Sequence, residues 1–519
     1  MRTPWIAATI SVIAAWLIAA ATLQHTGLVP YPWQLGAQII NDAQLLWRHS
    51  VPTLTTALWG LLVGVGVVVP LAALGLMVRP AEAVVLRIGV FVNVVPTVAI
   101  APILVVALDN ETGRVVITAL QVYFPALVGI LFGLRQADER ALDLIKASGG
   151  GSWAALRYAR FAAAVPSFIS ALQIAVPAAI LGALIAEFFG AHEGLGSLLV
   201  NAQQSLLIDR TWAIAVVVGL VAAGGYGLVT IAAKLLVPWA ANEASVGVSV
   251  AGADAKKQSR ISSATASVIT IAILLGGWQS LRTVFDFDPF FTKGPADVFT
   301  YITQGHPIQG TSAGAFWAEF GEALGQTAID AGVGFVVGSV IAVAAAVVLD
   351  AFPTLSKVFM PMAVVLRSVP LAALTPLIVL LFGRGMLGVT IVVTLVTFFP
   401  TLVTVMQGLC STPEGATDLV RASGGTMRQS VRYVRLMYAV PSMLAAARVA
   451  IPGAIAGATL AEWLATGQGL GYLLTLASTQ ADYYLLWTGG VLLAVFALAV
   501  HGLLSITDRA ISRRLGTAA

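Results

Sequence analysis

The stretch LDLIKASGGGSWAALRYARFAAAVP, residues 142–166, recurs as TDLVRASGGTMRQSVRYVRLMYAVP at residues 417–441. Both copies belong to a longer repeat, in which residues 141–199 align without a gap with residues 416–474 at a constant offset of 275. Of these 59 aligned positions, 28 are identical, and the alignment continues upstream at an offset of 274, pairing Pro96 with Pro370. Self-similarity over this length predicts two structurally equivalent halves.

The composition is that of an integral membrane protein. Of the 519 residues, 58% are hydrophobic and 10% are charged, whereas a soluble domain carries about 25% charged residues. Apolar runs of spanning length occur at 5–24, 52–78, 84–108, 114–134, 163–189, 212–237, 263–281, 325–349, 358–382, 387–409, 438–465 and 484–507. We therefore predict an all-α membrane protein with about 12 transmembrane helices, although the first run also has the length of a signal-peptide core.

Basic residues are distributed unevenly between the predicted loops. With the N-terminus in the cytoplasm, 20 of the 28 Lys and Arg residues lie at cytoplasmic positions and six lie outside, while Arg367 and Arg448 fall within spans. This bias follows the positive-inside rule, so we expect both chain ends in the cytoplasm. Six helices then precede each repeat end, which predicts two parallel six-helix repeats with the substrate path along their common axis.

Small and polar residues at 241–262 predict a flexible cytoplasmic linker. It separates a first half, residues 1–240, from a second half, residues 263–519. Each half contains one copy of the quoted motif in a predicted cytoplasmic loop, at residues 137–162 and 412–437.

The two repeated loops have the same predicted order of elements. A polar helix is followed by Ala-Ser-Gly-Gly, by a basic helix with Arg-Tyr-x-Arg, and by a membrane helix with Pro166 or Pro441 in its first turn. Two copies at one face predict two docking elements for a two-fold symmetric soluble partner; the alternative is a basic connector without a partner. The candidate docking residues are Asp143, Lys146, Ala147, Ser148, Gly149, Gly150 and Arg157, and Asp418, Arg421, Ala422, Ser423, Gly424, Gly425 and Arg432.

These loops resemble the cytoplasmic loop of bacterial ABC importer permeases, in which Glu-Ala-Ala is followed by a Gly and later by a Pro. Gly149 and Gly424 match that glycine, whereas Asp143 and Asp418 stand where the family has Glu. The resemblance implies a type I importer fold whose loop forms a coupling helix in a groove of the ATPase subunit. It also implies that two permease copies, usually separate chains, are fused here.

Further motifs resemble the nitrate/sulfonate/taurine branch of that family, which includes riboflavin and pyrimidine-precursor permeases. They are Val95–Pro102, Val369–Pro376, Ala186–Gly196 and Ala461–Gly471. The resemblance implies two copies of a cytoplasmic ATPase and an extracytoplasmic binding protein as partners, and a place in the bacterial inner membrane. The sequence contains no Gly-Lys dipeptide and hence no P-loop, so ATP and Mg²⁺ are expected on the partner ATPase and no cofactor in this chain.

Polar residues within the predicted spans are candidates for the substrate path. The repeat pairs Asn93 with Arg367 and Gln173 with Arg448, and Asp330 is a further charge of the second half. Charges inside a membrane are costly, so the two arginines are predicted to attract an anionic solute. The alternative is an internal ion pair between Arg448 and Asp330.

Glu187 and Glu462 lie at the outer ends of the fifth predicted helices. They are candidate residues of an outer gate, and hydrogen bonding within the adjacent loop is the alternative.

Other classes of function find little support in the sequence. The five histidines and Cys410 show no metal-ligand spacing, no catalytic constellation is present, and 8% aromatic residues argue against nucleic-acid binding. We therefore predict a non-enzymatic permease that imports a small solute, such as a sulfonate or carboxylate. Import of a pyrimidine-like or riboflavin-like precursor and ion-coupled secondary transport are the alternatives.

Overall fold

The computed structural model describes residues 10, 13, 14, 16–18, 20–22, 27–189, 191–241, 260–284, 287–356, 359 and 371–514. Within these ranges the regular structure is helical, apart from one isolated β-bridge between Gly305 and Ser312. The all-α prediction is therefore confirmed for the described residues. Its physical basis is that helices satisfy their own backbone hydrogen bonds in lipid.

The first half contains ten helices within residues 27–189 and 191–241. They are α1 (Pro32–Asn41), α2 (Ala43–Met77), α3 (Arg79–Val94), α4 (Thr97–Ala107), α5 (Asn110–Arg135), α6 (Glu139–Ala147), α7 (Ser152–Phe188), α8 (Leu195–Gln204), α9 (Ile208–Leu236) and the single turn α10 (Pro238–Ala241).

From its second helix onward, the described part of the second half has the same order of helices as the first half, without equivalents of α3 and α10. It contains α11 (Arg260–Thr283), α12 (Pro295–Gln304), α13 (Ala313–Ala351), α14 (Leu371–Phe382), α15 (Met386–Cys410), α16 (Glu414–Ala422), α17 (Arg428–Leu464), α18 (Gly469–Thr479) and α19 (Tyr483–Arg514). Most of the predicted linker lies outside the described residues, and α11 begins within its predicted end.

Eight helices in the described ranges are long and apolar enough to cross a bilayer: α2, α5, α7 and α9, and their equivalents α13, α15, α17 and α19. The predicted span at 84–108 is not one straight helix, because α3 and α4 are bent by 95° relative to each other. Val95 is extended there, with φ −70° and ψ 122°, since the following Pro96 disfavours a helical conformation at Val95.

The count of twelve helices is not confirmed. The run predicted at 263–281 has only a short apolar helical stretch, Thr265–Ser280. The runs predicted at 5–24 and 358–382 lie partly outside the described residues.

Pro166 and Pro441 do not begin the helices that follow the repeated loops, as the sequence predicted. Pro166 lies inside α7 and Pro441 inside α17. The basic segment before each proline belongs to the same helix, joined to it by one π-helical turn at Leu156–Arg160 or Val431–Arg435. A π turn inserts one extra residue into a helix without ending it, so the helix begins near the loop itself.

Equivalent helices pack through equivalent small residues. A Cβ at Gly133 of α5 would lie 2.7 Å from the Cβ of Ser167 in α7, and one at Gly408 of α15 would lie 2.5 Å from that of Ser442 in α17. Small residues allow membrane helices to approach closely. The repeat in sequence is therefore also a repeat in packing.

The two halves meet where α7 and α17 end. The ring of Trp463 lies with its centroid 5.3 Å from that of Phe188 and 4.7 Å from that of Phe189. The repeated loops lie at the other, N-terminal ends of these two helices.

Candidate functional site

The repeated loops contain the same helix termination twice. Gly149 has φ +79° and Gly424 has φ +76°, a left-handed conformation that favours glycine. The N–H of Gly150 donates to the carbonyl of Ile145 at 2.8 Å, and Gly425 donates to Val420 at 2.8 Å. These bonds form a Schellman motif, so Ala-Ser-Gly-Gly ends α6 and α16 and reverses the chain toward α7 and α17.

The predicted docking residues lie on an exposed surface. Twelve of the fourteen are exposed, and Gly150 and Gly425 are partly covered by the preceding helix. Asp143 forms an exposed ion pair with Lys146 at 3.0 Å, and Asp418 forms one with Arg421 at 3.3 Å. Such exposed pairs contribute little to folding.

Large apolar side chains share this surface in both halves. Leu144 and Tyr158 are 69% and 70% exposed in the first loop, and Leu419 and Tyr433 are 69% and 63% exposed in the second. The same two apolar residue types are thus exposed among polar neighbours in both halves. We call these two surfaces, each comprising the loop residues above and its Leu–Tyr pair, the first and second loop surfaces.

At the other ends of α7 and α17, Glu187 and Glu462 each hold a tight turn. Oε2 of Glu187 accepts a hydrogen bond from the N–H of Gly196 at 2.7 Å, and Oε2 of Glu462 accepts one from Gly471 at 2.9 Å. Both carboxyl groups are buried, at 1% and 0% exposure. Hydrogen bonding within the adjacent loop, the alternative to a gate in the sequence analysis, is therefore present in both halves. A gating role for the two residues stays a prediction.

A threonine completes each of these arrangements and was missed in the sequence. The N–H of Leu195 donates to Oγ1 of Thr53 at 2.8 Å, and that of Leu470 donates to Oγ1 of Thr327 at 2.9 Å. The offset of 274 aligns the two threonines, and this signal was available in the sequence. We call Thr53, Glu187, Gly194 and Gly196 the first turn anchor, and Thr327, Glu462, Gly469 and Gly471 the second.

The polar residues predicted for the substrate path do not form one cluster in the described structure. Nε2 of Gln173 donates to Oγ1 of Thr230 at 3.0 Å, and Arg448 forms an ion pair with Asp508 at 3.1 Å. Both equivalent positions thus face the last long helix of their own half. Asn93 is exposed near the end of α3, and Arg367 lies outside the described residues.

The predicted ion pair between Arg448 and Asp330 is wrong. Arg448 points from α17 toward α19, whereas Asp330 lies in α13. Asp330 is buried at 1% exposure and accepts a hydrogen bond from Gln326, one turn earlier, at 3.2 Å.

Comparison with known proteins identifies the family to which this duplicated chain belongs. The family described as "Binding-protein-dependent transport system inner membrane component" matches the chain twice, at residues 65–242 and 334–515. The chain belongs to this family. It is a permease, a multi-pass inner membrane protein with two copies of the family domain.

Individual relatives align with less than half of the permease. It is 35% identical over 187 residues to a probable ABC transporter permease protein of Haemophilus influenzae, which covers 36% of this chain and 76% of the relative. It is 35% identical over 144 residues to the formylaminopyrimidine transport permease protein ThiX of Halalkalibacterium halodurans, covering 28% and 56% of the two chains. It is 24% identical over 251 residues to the taurine transport system permease protein TauC of Escherichia coli, covering 48% and 88%.

Proposed function

We propose that this permease forms the whole membrane pore of an ATP-driven importer, with one ATPase subunit docked at each loop surface. Its family already makes it the membrane component of binding-protein-dependent transport. The proposal adds that two ATPases bind one chain, that both chain ends lie in the cytoplasm, and that ATP and Mg²⁺ are bound by the ATPases.

The duplicated loop surface is the observation that carries this proposal. Each copy presents an exposed helix, a left-handed glycine and an exposed Leu–Tyr pair in the same order. Two copies of one ATPase can therefore make the same contacts with one chain. A single loop surface would instead favour pairing between two permease chains.

Helix α7 offers a direct route for coupling. It is continuous over 37 residues from Ser152, next to the first loop surface, to Phe188, next to the first turn anchor. This length corresponds to about 55 Å. Movement of the loop by the ATPase would thus be transmitted to the opposite end, where the turn anchors at Glu187 and Glu462 are our candidates for the outer gate.

For the cargo we propose a small organic anion, a sulfonate or carboxylate, delivered by an extracytoplasmic binding protein. The taurine permease among the relatives supports this class, and the formylaminopyrimidine permease supports a pyrimidine-like precursor as the alternative. Of the two arginines proposed for the path, Arg448 is neutralised by Asp508.

Co-purification of the ATPase tests the proposal. Valine at Gly149 and Gly424 would be strained because both positions have positive φ, yet no atom lies within 4 Å of the added Cβ. We expect the double variant to lose the ATPase from a complex that otherwise contains two ATPases per chain, measured by native mass spectrometry. Gly151→Val is the matched control, because Gly151 has φ −86° and equally open surroundings.

Two outcomes would contradict the proposal. One is full ATPase binding by the double variant. The other is solute uptake by vesicles that contain the chain alone under a proton or sodium gradient, which would favour secondary transport.

A further inference from the structure

A cavity of about 330 Å³ lies between the two halves, at the end of the molecule opposite the loop surfaces. It lies between α8 of the first half and α18 of the second. Val200 and Thr475 both line it, and they are related by the repeat offset of 275. The cavity therefore lies on the axis that relates the halves, where parallel repeats place a substrate path.

The lining combines one cation with amide and aromatic groups. Its polar and aromatic residues are Gln203, Gln204, Arg384, Trp463, Tyr472 and Thr475. Of the described residues that line it, none is acidic. Arg384, Gln204 and Tyr472 are exposed, so the cavity is open to solvent.

Arg384 has no ion-pair partner among the described residues. The arginines Arg48, Arg210 and Arg282, by contrast, each pair with a carboxylate. A guanidinium group has donors arranged to bind a carboxylate or sulfonate through two hydrogen bonds. Gln203, buried at 8% exposure, adds amide donors, and Trp463 offers apolar surface.

A second, smaller void shares Thr475 with the cavity and is also lined by Pro102, Phe189 and Leu474. It has no room for a water molecule, so a ligand bound beside Arg384 could not pass through it in this conformation.

We propose that this cavity binds a small organic anion, with its sulfonate or carboxylate on Arg384 and its apolar part against Trp463 and Tyr472. The assignment rests on the proposed function, because it makes the cavity the place where cargo first meets the permease. Its size falls at the lower end of the range for small-molecule sites, about 300–1,000 Å³.

The test measures binding of four probes to the permease–ATPase complex in lipid nanodiscs by titration calorimetry. The probes are benzenesulfonate and benzoate, with the neutral benzenesulfonamide and benzamide as controls of similar shape. We expect the wild-type complex to bind at least one anion at least about tenfold more tightly than its neutral analogue, because one charge-assisted contact has that effect. Comparison of the affinities for benzenesulfonate and benzoate shows which head group the site prefers.

Variants then assign the effect to one residue. Arg384→Gln is expected to weaken anion binding by about tenfold or more, and Arg384→Lys, which keeps the charge, by less. Arg48→Gln is the matched control: Arg48 is an arginine at the same end of the molecule, paired with Glu193 outside the cavity. It should leave anion binding unchanged. Elution as one species and an unaltered melting temperature confirm that each variant is folded.

Three outcomes would overturn the assignment: no anion bound by the wild-type complex, equal binding by Arg384→Gln, or an equal loss in Arg48→Gln. Co-purification of the ATPase is scored before any probe is added. An intact complex that binds no anion therefore contradicts the cavity assignment alone, whereas absence of the ATPase contradicts the proposed function.

Discussion

Gly469→Ala should destabilise the permease far more than Gly467→Ala, although the two glycines are only two residues apart. Both have left-handed backbones, with φ +84° and +67°. An added Cβ meets no atom within 4 Å at Gly467, whereas at Gly469 it would overlap the Glu462 carboxyl group, at 2.6 Å from Oε1. Comparing the two variants therefore distinguishes the cost of backbone strain, which both have, from the cost of disrupting the second turn anchor, which only Gly469→Ala has.

The magnitude follows from the contacts of Glu462. A left-handed alanine costs about 1–2 kcal/mol at either position. At Gly469 the carboxylate must also move away from the N–H of Gly471 and the hydroxyl of Thr327, both at 2.9 Å. Buried groups that lose a partner cost about 1–3 kcal/mol each. We expect a loss of about 3–8 kcal/mol for Gly469→Ala, against about 1–2 kcal/mol for Gly467→Ala.

The free energy of unfolding can be measured by titrating the purified permease with SDS in mixed micelles. A Glu462→Ala background supplies the control, because the overlapping group is then absent and Gly469→Ala should cost no more than Gly467→Ala. Equal destabilisation by the two glycine variants in the native background would refute the reasoning, as would an undiminished effect of Gly469→Ala in the Glu462→Ala background.

Two further predictions concern ion pairs. The hydrogen bond from Arg210 lowers the pKa of Asp42 below its ordinary value of 3.8, so this carboxylate stabilises the fold above that value and loses its effect as the pH falls through the lowered pKa. As the pH falls through that pKa, the melting temperature of the permease should therefore fall less steeply for Asp42→Asn than for the wild type. An unchanged slope of melting temperature against pH would contradict the assignment. Asp350→Asn breaks a pair with Arg435, at 2.6 Å, whose side chains are only 7% and 20% exposed, and should cost about 3–5 kcal/mol. Asp418→Asn removes an exposed pair and should cost less than about 1 kcal/mol by the same SDS titration; equal costs would show that burial does not decide the effect.

Much of the architecture could be predicted from the repeat. A constant offset places equivalent residues at equivalent positions, which is why the loop residues around Gly149 and Gly424 were found and are exposed as a docking surface requires. The repeat also relates the turn anchors, at an offset of 275 for their glutamates and glycines and 274 for their threonines. Thr53 and Thr327 escaped notice because a threonine in an apolar run has no distinctive spacing. Its role is visible only once the chain folds back onto it.

Helix continuity and side-chain partners could not be read from the sequence. A proline suggests a helix start, yet Pro166 lies inside α7 because the π turn before it keeps the helix continuous. Arg448 and Asp330 are charged residues of opposite sign in predicted spans of the second half, which suggested an ion pair. In the structure, Arg448 contacts Asp508 and Asp330 contacts Gln326. Which partner a buried charge has depends on helix rotation, and weak periodicity in an apolar helix does not specify that rotation.

The cavity between the halves shows what fusion of two permease copies allows. In a dimer of identical chains, every residue near the axis occurs twice, so an arginine facing a small cavity would be opposed by a second one. Here the position equivalent to Arg384 is Asn110 at an offset of 274 or Asp109 at an offset of 275, and neither is basic. The offset of 275 places Phe188 at the position of Trp463. The loop surfaces and turn anchors, by contrast, have the same residues in both halves, except that Lys146 corresponds to Arg421. The axis can therefore present one positive charge to one small anion, an asymmetry that a homodimer could not have.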